Sequence, residues 1–321
     1  MLLPQLLVFA FTGFLLGMVN LKVSPAVLIL ERFFPGGGWV EVLGLSVYSA
    51  WLYGKLADLS QQSLWRVRLW TLFSVVFFAQ FFLALLGFEQ FWMRAGKFHL
   101  PIPALVIAGP IYRGYGFFML FLFLGTILVL GPAWCSYLCY FGVWDFWSAK
   151  RSRVKRLPPW TRWIRVGIVI LVILTAWGLR KFGFSKEQAG LVALGFLLGA
   201  VVVMLVWSRR SGIMCHCVVY CPLGWLADLL GKISPFRIKI KKGCDLCLRC
   251  LQSCRYNALG EEELKAGKVG FSCSLCGDCI AVCPKNVLGF YFPGMSPERA
   301  RRLFLGIVVV FHTCFLALAK V

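Results

Sequence analysis

Long apolar runs restrict the fold of this 321-residue chain more than any other feature. Inside a hydrocarbon layer every backbone N–H and C=O must be satisfied by protein, so such runs fold as helices. Seven spans are expected, near Leu3–Val19, Val40–Ala57, Leu69–Gly87, Gly116–Pro132, Ile164–Arg180, Gln188–Trp207 and Leu303–Ala319. The composition agrees: 60% of residues are apolar, against about 45–50% in soluble domains. Between the first two spans, Lys22, Pro25, Glu31 and the breaker Pro35-Gly36-Gly37-Gly38 interrupt the pattern, and Val27–Phe34 reads as a re-entrant or interfacial piece. Met1–Val19 lacks the basic start and the Ala-x-Ala-type cleavage site of a signal peptide, so it is expected to be a retained helix.

The charge is +21, from 34 Lys and Arg against 13 Asp and Glu. No nucleic-acid recognition motif accompanies it, and the cations flank apolar spans, as the positive-inside rule requires. They gather after the fourth span (Lys150, Arg151, Arg153, Lys155, Arg156, Arg162, Arg165), after the sixth (Arg209, Arg210, Arg237, Lys239, Lys241, Lys242) and before the seventh (Arg299, Arg301, Arg302). With seven spans these loops share one side, expected to be the cytoplasm, while Phe88–Tyr115 and the C-terminus lie outside. The expected organisation is a mostly α, polytopic membrane helix bundle at 1–235, an inserted α+β module of bacterial ferredoxin type at 236–290, and a C-terminal transmembrane helix at 291–321.

The module carries eight of the fourteen cysteines. They form Cys244-x2-Cys247-x2-Cys250-x3-Cys254 and Cys273-x2-Cys276-x2-Cys279-x3-Cys283-Pro284. In bacterial ferredoxins this spacing lets three close cysteines hold one [4Fe–4S] cluster while the fourth crosses to the other. Cys244, Cys247, Cys250 and Cys283 are therefore expected to bind cluster I, and Cys273, Cys276, Cys279 and Cys254 cluster II. Zinc ribbons use two separated C-x2-C pairs instead. Arg255 stands where Pro usually follows the fourth cysteine, and a cation there favours the reduced, more negative cluster.

A second cysteine pattern ends two of the spans. Cys135-x3-Cys139-Tyr140-Phe141-Gly142 and Cys217-x3-Cys221-Pro222-Leu223-Gly224 each run into an amphipathic stretch with an acid, Asp145 or Asp228. This reads as an internal repeat, and repeats of this kind place a shared site at their pseudo-symmetry axis. With both sulfurs of each pair on one helix face, four thiols would meet near the cytoplasmic surface as a candidate third site. An iron–sulfur centre, copper(I) and redox-active thiols all suit four thiolates. Cys215 and His216 are candidate extra ligands, whereas Cys314 reads as packing. A bis-histidine haem is not expected, because His312 alone among His99, His216 and His312 sits mid-span. Glu31, Asp58 and Glu89 lie at span edges as interfacial groups, and no quinone-site residue is assigned.

At these residues the chain resembles a family of membrane ferredoxins: NapH, the membrane subunit of periplasmic nitrate reductase systems and the nearest in layout, with the membrane–ferredoxin half of NosR and the copper-reducing assembly protein CcoG. The resemblance covers about residues 67–290 and departs from the family at Tyr140, where the first motif would carry Pro. It implies an electron-transfer subunit of an oxidoreductase complex in the inner membrane of a prokaryote, exchanging electrons between the quinone pool and partner redox subunits, with a quinone or quinol as substrate. The alternatives are a copper or other metal reductase or assembly factor using the C-x3-C thiols, which Tyr140 disfavours, and a component of an ion-coupled redox complex, which the lack of mid-span acids disfavours.

Overall fold

The structure, a computed structural model, describes residues 2–23, 26–91 and 101–318. His99 and the side chain of Glu89 lie outside the described residues. The chain is mostly helical and divides into two compact units, Met1–His99 with Glu298–Val321, and Leu100–Pro297. Among the described residues six helices are long and apolar enough to cross a membrane: Leu2–Lys22, Leu59–Leu85, Phe118–Leu138, Thr161–Lys181, Lys186–Ser211 and Pro297–Ala317. They fit a multi-pass membrane protein. The expected Val40–Ala57 span is a helix from Gly37 to Ala57, as long as the first, but Glu41, Lys55 and its Gly, Ser and Tyr residues leave it less apolar than those six.

In the first unit, side chains set the helix ends. Ile29–Phe33 is a single short helix, and its Glu31 carboxylate accepts from the N–H groups of Gly36 (3.1 Å) and Gly38 (2.8 Å). Glu31 thus caps the helix that begins at Gly37, satisfying N–H groups that have no partner within it. Asp58 accepts from Ser60 N–H (2.9 Å), so the next helix starts at Leu59, ten residues before the apolar run. That added stretch buries Gln62, which accepts from Arg301 (3.0 Å), and Arg301 also donates to the last carbonyls of the Gly37–Ala57 helix. Cys314 packs beside Leu16, Leu28, Val42 and Ala317. His312 is fully buried with its Nε2 3.2 Å from the Tyr48 hydroxyl.

In the second unit, the Phe118 helix passes through a tight turn at Gly131–Ala133, where Pro132 removes a donor, and ends in a wide turn at Trp134–Leu138. The Lys186 helix starts on a capping box between Ser185 and Gln188. Strands β1 (Arg237–Ile240) and β2 (Leu288–Tyr291) pair antiparallel, with Ile238 opposite Phe290 and Ile240 opposite Leu288. Phe236, Ile238, Leu288 and Phe290 are buried. The pairing brings Cys244, just after β1, beside Cys283, just before β2, although 39 positions separate them in the sequence.

Candidate metal centres

The two four-cysteine runs coil in the same way. Leu246 (φ 56°) and Leu248 (φ 58°) in the first run correspond in register to Leu275 (φ 57°) and Gly277 (φ 81°) in the second, and Asn257 (φ 54°) to Asn286 (φ 51°). Among the described residues, these leucines and asparagines are the only non-glycine positions with positive φ. Each such leucine costs about 1–2 kcal/mol relative to a right-handed conformation. Strain of this kind, held by its surroundings, gathers at ligand-binding sites. Here it falls in the loop of each four-cysteine run and just beyond it.

Cys244, Cys247, Cys250 and Cys283 line one small cavity, walled by Leu248, Leu264, Pro284, Val287 and Leu288. Cys254 sits instead with the second run: burial pushes the Cys279 thiol well above its ordinary value, and Cys276, Cys273 and Cys254 push it further. Ala258 N–H donates to Cys254 Sγ at 3.4 Å. Burial raises the Cys250 thiol to about 11 and the Cys273 thiol to about 12. Thiols held protonated in this way ionise only when a metal takes the proton's place. The two sets differ in exposure, since Cys247 is exposed at the surface whereas Cys254 and Cys279 are buried.

The C-x3-C motifs also share one geometry, and it is not the expected pair on a regular helix face. Each is a wide turn closed by an i→i+5 bond, from Cys139 N–H to Trp134 C=O (2.9 Å) and from Cys221 N–H to His216 C=O (2.7 Å). Such turns recur at functional sites. The second cysteine of each pair leaves the helix in extended conformation, with ψ of 110° at Cys139 and 119° at Cys221. Gly142 N–H donates to Cys139 Sγ (3.4 Å), and Gly224 N–H makes the matching bond to Cys221.

The two turns converge. Cys217 has as electrostatic neighbours Asp145, Cys139, Cys221 and Cys135, all of which add to the upward push of burial on its thiol. Asp145 of the first repeat accepts from Cys217 N–H (3.0 Å), and Asp228 of the second is an electrostatic neighbour of Cys135. Arg165, counted by sequence among the loop cations, is buried and joins Asp228 (2.6 Å) to the Cys217 carbonyl (3.0 Å). Cys215 turns elsewhere, its Sγ 3.2 Å from Ser211 Oγ. The His216 ring lies between Phe141 and Tyr220, with centroids at 5.0 and 5.7 Å. Burial lowers this imidazole to about 3, which keeps it neutral.

Hydrogen bonds that no sequence pattern signals fasten the first C-x3-C turn to the second ferredoxin run. Ser136 Oγ donates to Ser274 C=O (2.9 Å), Tyr137 to Cys276 C=O (3.0 Å) and Tyr256 to Cys135 C=O (3.0 Å). Arg255 donates to the carbonyls of Ser152 and Gly212, both at 2.7 Å, and so ties the module to the segments flanking both repeats.

A family model described as a 4Fe-4S binding domain matches residues 112–158, the stretch that holds Cys135 and Cys139. No curated protein and no solved structure matches the chain. The match and the cysteine sets support an iron–sulfur protein. The donors also fit such a group. Cys244, Cys247, Cys250 and Cys283 offer four soft thiol donors around one cavity, and soft thiolates suit iron–sulfur clusters.

Proposed function

We propose that this chain is a membrane-bound electron-transfer subunit, carrying electrons between the quinone pool and a redox partner. Cys244, Cys247, Cys250 and Cys283 would hold one [4Fe–4S] cluster, and Cys254, Cys273, Cys276 and Cys279 a second. Each cluster supplies reversible one-electron transfer when bound. The observation that carries this reading is the crossover: Cys283 lines the cavity of the first run, and Cys254 sits with the second. The chain's own residues hold the thiols in strained loops, point N–H groups at sulfur and exclude water with apolar walls.

The exposure of the two sets supports a polarity. The second set is fastened to the helix ends through Ser136, Tyr137 and Tyr256. The first set leaves Cys247 exposed among the exposed Lys241, Lys242, Arg249 and Lys285, a rim suited to an acidic redox partner. We assign the module to the cytoplasmic face of a prokaryotic inner membrane, from the distribution of Lys and Arg. The test is anaerobic purification with iron and sulfide analysis, followed by reduction with a membrane quinol. Each ferredoxin set should contribute about four irons and four sulfides, lost selectively in Cys250→Ser and Cys279→Ser. Stoichiometric zinc in place of iron would refute the cofactor, and clusters inert to quinol and quinone would refute the quinone link.

A further inference from the structure

We propose that Cys135, Cys139, Cys217 and Cys221 together hold a third iron–sulfur cluster, of the [4Fe–4S] class, across the interface between the two C-x3-C repeats. The site is separate from the two ferredoxin sets, and its existence does not depend on the quinone link.

Three observations lead to it. The first is the matched geometry of two turns far apart in sequence. Each offers one thiol from within a wide turn and one from the residue that leaves it, and each backs the second sulfur with a glycine N–H. N–H groups aimed at sulfur stabilise a thiolate and tune a bound cluster. The two turns exchange partners, Asp145 reaching Cys217 and Asp228 neighbouring Cys135. The Asp145 bond ties the first repeat to the backbone of the second at its first cysteine, and a site shared by two repeats lies where they meet.

The second is polar groups left open around the thiols. Asp145 Oδ1, Arg165 Nε and His216 Nδ1 are buried without a hydrogen-bond partner. Orphaned buried polar atoms are rare and call for an explanation such as an unseen ligand or water. Arg165 also supplies a cation beside a site that four thiolates would make strongly negative.

The third is the surroundings. Cys221 and Cys135 pack with Ile107, Phe123, Ile127 and Leu223, which exclude water. The match to a 4Fe-4S binding domain covers Cys135 and Cys139 and none of the eight ferredoxin cysteines. Loading would form four Fe–S bonds and release the four thiol protons.

The experiment is iron and sulfide analysis of the anaerobically purified full chain, with spin integration of the fully reduced protein by EPR. About twelve irons and three paramagnetic centres per chain are expected, at four irons per cluster. The Cys139→Ser/Cys221→Ser variant should fall to about eight irons and keep both ferredoxin signals. A Cys250→Ser/Cys279→Ser variant should instead keep the third signal, which separates failure of this proposal from failure of the ferredoxin assignment. Eight irons and two centres in the unaltered protein would overturn the proposal even if the variants fail to fold. So would an unchanged count in Cys139→Ser/Cys221→Ser, or stoichiometric copper or a dithiol–disulfide couple at the four cysteines.

Discussion

Replacing Asp228 by Leu should be among the most destabilising single changes in the second unit. Arg165 and Asp228 meet at 2.6 Å with side chains only 5% and 6% exposed, so the guanidinium has no water to replace a lost carboxylate. Among the described residues its other hydrogen bond goes to the Cys217 carbonyl. Removing one partner of a buried pair costs about 3–5 kcal/mol, because a buried charge is left uncompensated. That is a large share of the 5–15 kcal/mol that holds a typical domain together. For a unit of this size each kcal/mol moves the melting temperature by about 2–4 °C, so a fall of about 10 °C is expected in detergent, followed by circular dichroism. Arg165→Met should be milder, since burial leaves Asp228 free to take up a proton. The double variant Arg165→Met/Asp228→Leu should recover most of the loss, because replacing both partners by apolar groups is often neutral or stabilising. The contrast is Lys265–Glu261, whose side chains are 60% and 56% exposed and whose loss should leave the melting temperature nearly unchanged. A shift below about 1 kcal/mol for Asp228→Leu, or a double variant as poor as the sum of the singles, would refute the view that a buried charge is being compensated here.

Under the proposed ligation, Arg255→Met should shift the potential of the cluster at Cys254 to a more negative value, since a neighbouring cation favours the reduced state; redox titration by EPR reads this, and an unchanged potential rejects it. Leu248→Gly should be tolerated or gain about 0.5 kcal/mol through relief of its left-handed backbone, whereas Leu275→Gly, at a site 3% exposed, should lose about 2 kcal/mol of burial; denaturant midpoints compare the two. Glu31 is held below its ordinary 4.5 by the N–H groups of Gly36 and Gly38, so its contribution is complete above that value and lost as pH falls through the lower, folded value. Glu31→Gln should therefore flatten the acid limb of the first unit's stability, and an identical pH profile counts against the cap. A reporter fused after Phe290 should be active only as a cytoplasmic fusion, and one at Val321 only as an external one; the opposite pattern reverses the topology.

The two four-cysteine runs stand out in the sequence by their spacing, and the iron–sulfur chemistry proposed for them rests on it. Three cysteines two residues apart with a fourth beyond leave few other uses, and strand pairing near both ends of the module brings Cys283 back to Cys244. The apolar runs were legible for the same kind of reason, because lipid leaves the backbone little choice. Helix ends were not. The helix of the third run begins at Leu59 and not Leu69, because Asp58 caps it and Arg301 provides a partner for Gln62. That partner lies 239 positions away, so local sequence carries no sign of it. Arg165 misled for a related reason: a cation near a span edge counts as a loop charge until the structure shows Asp228 against it.

The C-x3-C repeat separates what spacing can say from what it cannot. Spacing identified the pair of pairs and their accompanying acids, but its geometric reasoning began from a regular helix, where residues four apart lie one above the other. The chain instead opens a wider turn and releases the second cysteine into extended backbone. Gly142 and Gly224 lie in the first turn of the helix that follows, where N–H groups have no carbonyl partner within the helix, and so can face sulfur. The glycines were visible in both motifs, and their placement three residues after the second cysteine is the one local signal of this arrangement. The acids were visible too, but not that Asp145 accepts from Cys217 in the opposite repeat while Asp228 pairs with Arg165. Exchange between repeats appears only when both are folded, and an isolated C-x3-C segment therefore cannot reveal whether its thiols pack singly or as half of a shared site.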